Sequence, residues 1–339
     1  MLPYPEALWQ IILMAVLLIA AVINAVHHAE VIAHKTGEPL GTLVLAVCVT
    51  IIEVALIVSI MLSAGEDGAL IARDSVFAAI MIVMNGVIGI SILLGGLRHR
   101  VLSFRIEGSN SSLTVLIALA VLTLIIPNFT TTTLGPTFSN SQLIFAGVMS
   151  LVLYGTFVFV QTIRHRDYFL QQGEAELANP KIHVSTPSNA KTFVSSILLL
   201  ISLIAVVLLA KALSPSIELA IDEMNAPRAV VGIAIALLVL LPEGVAATRA
   251  AINNRLQTSL NLSIGSALAS IGLTIPAVAF VSIVFDLPIS LGVDALGMTF
   301  LALTFLLSTL TIAVGRATIL QGVVHLVVFA AYLFLNLIP

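Results

Sequence analysis

The chain has 339 residues, of which 59% are hydrophobic and only 9% charged, and its mean hydropathy is +1.15. So few charges cannot cover the surface of a soluble domain, where roughly 25% is usual. A net charge of −3 without a basic block excludes a nucleic-acid partner, and a single cysteine, Cys48, excludes a disulfide scaffold.

What remains is an all-α, polytopic membrane protein whose partner is the lipid bilayer. A spanning helix needs roughly 20 mostly apolar residues. Ten stretches qualify: 7–27, 40–62, 76–97, 112–128, 141–162, 192–213, 228–248, 259–284, 290–314 and 317–337. They are continuously apolar, which excludes the alternating pattern of a β-barrel. The first has no basic flank or evident cleavage site and reads as a retained helix. The longest polar connection, 163–191, divides the chain near its middle.

Basic residues set the orientation. With ten spans, the side of the N-terminus holds 3 of them, Arg73, Lys211 and Arg228, and the opposite side the other 11 of the 14. The opposite side is therefore expected to be the cytoplasm, with both termini outside a bacterial inner membrane.

Most acids lie in connections, but Glu53 falls inside span 2 and Glu243 inside span 7. A carboxylate within a span costs a few kcal/mol and commonly marks an ion path or proton relay. No Lys or Arg lies at mid-depth to pair with either. The two also occupy matching places, each in the second helix of a five-helix half, residues 1–162 and 192–339 with 163–191 as a cytoplasmic linker. An odd helix number turns the second half over, so the halves are expected to be inverted repeats whose glutamates converge near the midplane.

The neighbours supply further oxygen atoms. Thr50 stands one turn before Glu53. Pro242, beside Glu243, lacks an N–H and should free a backbone carbonyl near residue 238. In span 8, Ser259, Ser263, Ser266, Ser270 and Thr274 repeat at helical spacing and share one face. Span 3 offers Asn85 as a neutral oxygen ligand and Asp74 at its outer mouth. Carboxylate, hydroxyl, amide and carbonyl oxygens suit Ca²⁺, and also Na⁺ or K⁺. Two adjacent carboxylates need compensation by a cation or by protons, which is the basis of cation/proton exchange. No ATP-binding motif is present and no cofactor is expected, so a gradient would supply the energy. A cation channel remains an alternative.

Two other clusters stand out. His27, Glu30 and His34 share a helical face in metal-ligand spacing, which a zinc-dependent intramembrane hydrolase or a pH sensor could use; a polar helix end at the membrane interface is the plainer reading. Gln321 and His325, one turn apart, read as a buried packing contact.

The segments GEPLGTLVLAVCVTIIEVALI, ARDSVFAAIMIVMNGVIGISILLGGLRHR, LLPEGVAATRAAINNRLQTSLNLSIGSALASIGLTIP and ILQGVVHLVVFAAYLFLNLIP resemble the bacterial ChaA-type proteins. These belong to the cation/proton exchanger branch of the calcium/cation antiporter superfamily. The resemblance, over nearly the whole chain, implies a transporter and not an enzyme, built on a ten-helix core of two inverted five-helix repeats. It implies ion-site glutamates at Glu53 and Glu243, alternating access, and Asn85, Ser266 and Ser270 near the site. It implies Ca²⁺, Na⁺ or K⁺ exchanged for protons without choosing among them, and leaves a homo-oligomer open.

Overall fold

The computed structural model describes residues 8–36, 40–170, 187–224 and 229–338. Among them are ten long helices. They are α1 (Leu8–Thr36), α2 (Leu40–Ala64), α3 (Gly68–His99), α4 (Ile106–Phe129), α5 (Asn140–Arg164), α6 (Asn189–Met224), α7 (Ala229–Ile252), α8 (Leu256–Phe285), α9 (Ala295–Ala313) and α10 (Ile319–Leu337). Nine are long and apolar enough to cross a membrane, and α2 carries the shorter apolar run Val47–Leu62. Helices satisfy every backbone polar group internally, which a hydrocarbon surrounding demands.

The ends of these helices depart from the apolar runs for local reasons. α9 begins at Ala295 rather than near residue 290, because Asp294 caps it by accepting from the Gly297 N–H at 2.8 Å. α1 runs past residue 27 to Thr36, carrying its histidines on a continuous helix. α7 continues through Pro242 without a break. Most of the 163–191 connection lies outside the described residues.

The core is divided. Buried residues of α1, α2 and α6, with a few from α3, α7 and α8, form one cluster. A second and larger one is drawn from α3, α4, α5 and α7 to α10. α3 packs on α7 and α10, while α8 packs on α2 and α5. Close backbone approaches at glycine set the α3 crossings. A Cβ on Gly232 of α7 would stand 2.7 Å from the Asp74 backbone, and one on Gly95 of α3 would stand 2.9 Å from the Ala251 carbonyl oxygen. At one face a two-residue ladder pairs β1 (Leu102–Ser103) with β2 (Arg316–Ala317). At the other, the extended stretch before α9 is tied down by Ser290 N–H to the Ala69 carbonyl and Val293 N–H to the Leu124 carbonyl, both at 2.9 Å.

Candidate ion-binding site

α8 lies between the two glutamate helices and touches both carboxylates. Ser270 Oγ donates to Glu53 Oε1 at 2.5 Å, and one turn earlier Ser266 Oγ donates to Glu243 Oε2. A spacing of four residues on one helix therefore sets the separation of two acids that are 190 positions apart in the chain. The carboxylates are near enough for their charges to interact. Their settings differ: Glu53 is 3% exposed, whereas Glu243 is only partly buried. Neither has a Lys or Arg partner among the described residues.

The rest of the α8 stripe follows the expected face. Ser259, Ser263 and Thr274 are buried; Thr274, one turn beyond Ser270, has its side chain beside Glu53, and the Ser259 and Ser263 hydroxyls make no hydrogen bond among the described residues. Thr50 is buried a turn before Glu53. Pro242 is partly buried beside Glu243.

Other singled-out residues go elsewhere. Asn85 is fully buried, but its hydrogen bonds go to other helices: it donates to Thr304 Oγ1 of α9 at 2.8 Å and meets His325 Nδ1 of α10 at 3.1 Å. Asp74 accepts from Arg73 Nε at 2.7 Å, and Arg73 also donates to the Gly292 carbonyl at 3.1 Å, so this acid is held in an ion pair at the mouth of α3. The expected Gln321–His325 contact is replaced. Gln321 occupies the third position of α10 and accepts from the Thr318 N–H and hydroxyl, capping the helix, while His325 bonds Asn85 and Thr311.

His27, Glu30 and His34 are all exposed, and no group of three metal-ligating side chains gathers among the described residues. It is His28 that links helices, its Nδ1 lying 3.3 Å from Ser195 Oγ of α6. Sequence reading also passed over Tyr154 of α5, which lies within electrostatic reach of Glu243 and against Gly272 of α8. No spacing signal marks a lone tyrosine. By contrast, Thr304, Ser308 and Thr311 repeat at helical spacing and could have been found.

This geometry sits in a known sequence frame. The chain matches the sodium/calcium exchanger protein family over residues 6–163 and 194–338. It belongs to that family. The match breaks across the central connection, as the polar sequence there would suggest. The chain is 48% identical over 336 residues to the y4hA protein of Sinorhizobium fredii (strain NBRC 101917 / NGR234), covering 99% of this chain and 90% of that one. It is 34% identical over 316 residues to the sodium-potassium/proton antiporter ChaA of Escherichia coli (strain K12), covering 93% and 85%. Among solved structures, the H⁺/Ca²⁺ exchanger CAX superposes with a TM-score of 0.71 at 15% identity, over 98% of this chain and 82% of that one. That likeness establishes the fold. Membership of the exchanger family makes the protein a multi-pass transporter of cations and not an enzyme, so a hydrolase built on the α1 histidines is set aside.

Proposed function

We propose that the protein exchanges cations for protons at Glu53 and Glu243. The observation that carries this reading is the pair of unpaired, intramembrane carboxylates held on adjacent turns of α8 by Ser266 and Ser270. Two negative charges in a poorly hydrated interior must be compensated. A cation can do this from one side of the membrane and protons from the other, and the two then compete for the same oxygens. Ser263 adds an unpaired hydroxyl oxygen on the same face, and Thr274 adds a hydroxyl beside Glu53.

Charge balance favours Ca²⁺ as cargo, since two carboxylates match one divalent ion and the oxygen set suits it. The reading is therefore extrusion of cytoplasmic Ca²⁺ driven by the proton gradient. A second reading, Na⁺ or K⁺ at the same glutamates, is supported by the relationship to ChaA, whose name gives those ions.

Residues 1–162 and 192–339 act as two inverted repeats in this proposal, with 163–191 as linker. In its support, exchanging each helix for the one at the same place in the other half converts the α3 contacts with α7 and α10 into the α8 contacts with α2 and α5. The protein would lie in the bacterial inner membrane with both termini outside. Tags on both termini should then be accessible in intact cells, and a protected C-terminus would overturn the orientation.

Purified protein in liposomes containing a pH-sensitive dye provides the main test. With a proton gradient imposed, Ca²⁺ is expected to trigger proton movement, lost in Glu53→Gln and in Glu243→Gln although both insert normally. A response to Na⁺ or K⁺ alone would select the second reading. Normal exchange by either variant would sink the site assignment, and cation uptake without proton movement would indicate a channel.

A further inference from the structure

A second polar chain links α3 to α9 and α10. It centres on Ile82–Val87, where α3 is π-helical. Such a turn holds an extra residue and is usually a single insertion in an α-helix. Asn85 sits in it. The amide oxygen of Asn85 can only accept, so His325 Nδ1 carries the proton in their 3.1 Å bond. His325 Nε2 is then an acceptor, and the Thr311 hydroxyl donates to it at 3.1 Å. Asn85 Nδ2 donates onward to Thr304 at 2.8 Å, and Thr304 donates to Met81 Sδ at 3.5 Å. His325 also reaches the backbone of Met84, inside the same turn.

Two glycines give the imidazole this reach. A Cβ on Gly322 would stand 2.6 Å from Leu93 N, and one on Gly89 would stand 3.2 Å from His325 Cβ. α10 therefore lies backbone to backbone on α3, with His325 inserted beside the π-turn. The far end of the turn faces the candidate site. Val87, its last residue, lies 3.1 Å from the position of a Cβ on Gly244, which follows Glu243.

We propose that His325 is a positioning residue for exchange: its Nδ1–Asn85 bond holds the π-turn of α3, and the turn seats Val87 against Gly244 beside Glu243. This rests on the cation/proton reading above. Without the bond, Asn85 is left with an unpaired buried oxygen, and the turn loses what favours it over regular α-helix. Reversion to α geometry rotates the following residues by about 100° relative to the preceding ones, which carries Val87 off Gly244.

His325 variants separate its two nitrogens. An Asn amide nitrogen can stand near the Nδ1 position and donate to Asn85, while a Gln amide reaches the Nε2 position and Thr311. In full-length protein in liposomes, His325→Asn is expected to keep the wild-type half-saturating cation concentration. His325→Gln and His325→Leu should raise it roughly tenfold with the maximal rate unchanged. Hydrogen exchange of the 82–89 amides should accelerate in the same two variants and not in His325→Asn. Wild-type values in His325→Leu, or equal effects of the Asn and Gln variants, would overturn the proposal. If His325→Leu does not fold, the Asn–Gln comparison alone decides. Wild-type protein that moves no cation, with the amide-exchange pattern intact, would remove the transport reading and leave the pinned turn standing.

Discussion

α3 and α8 each follow a glutamate helix, and they treat their polar residues in opposite ways. α8 turns hydroxyls toward both carboxylates, Ser266 to Glu243 and Ser270 to Glu53. α3 turns Asn85 outward to α9 and α10, and faces Glu243's neighbour Gly244 with the apolar Val87. A strictly symmetric pair of repeats would give each carboxylate a donor from a different helix. Here a single helix serves both, so a movement of α8 along its axis would disturb both acids together. α3 is instead anchored to its surroundings, through His325 and through the glycine approaches to α7 and α10.

The sharpest way to break this comparison is to remove the α8 hydroxyls one at a time. A hydrogen bond to a charged group contributes about 1.5–3 kcal/mol, and its loss is felt most where water cannot replace it. Ser270→Ala, beside fully buried Glu53, is expected to weaken cation binding by about tenfold. Ser266→Ala, beside the less buried Glu243, should weaken it by only about threefold, because a less confined side chain can turn to another partner. Cation titrations of proton movement in liposomes measure both. An equal or larger effect of Ser266→Ala would mean that burial does not rank the two halves of the site.

Much of this arrangement is legible in the sequence, for a physical reason. Polar atoms within apolar spans are costly, so Glu53, Glu243 and the Ser263–Ser266–Ser270 spacing stand out, and helical periodicity then places the hydroxyls on one face. Periodicity describes a helix's own faces but not which neighbour each one meets. The sequence offers Asn85 as a neutral oxygen ligand, yet it lies in a π-turn of α3 and bonds His325. The spacing of Gln321 and His325 was compatible with a contact, but Gln321 lies so near the start of α10 that the free backbone N–H of Thr318 claims it. The Asp74–Arg73 pair shows a similar limit. The sequence shows two adjacent opposite charges but not their partners, and the guanidinium binds both the acid and the Gly292 carbonyl.

The smaller expected effects concern how tightly each helix is held. Gly322→Ala puts a methyl 2.6 Å from Leu93 N, a backbone atom that cannot swing aside, so α10 must move off α3. Overpacking of this kind costs about 1–3 kcal/mol, and the detergent-solubilised protein should melt earlier. On α8, Gly265→Ala meets nothing within 4 Å. There the methyl is accommodated and alanine favours the helix by up to about 1 kcal/mol, so melting should be unchanged or slightly later. The two substitutions are chemically identical, and the sign of the difference reports how each helix is packed. Equal destabilisation would mean that α8 is as closely held at Gly265 as α10 is at Gly322, and the local contrast between these two positions would fail.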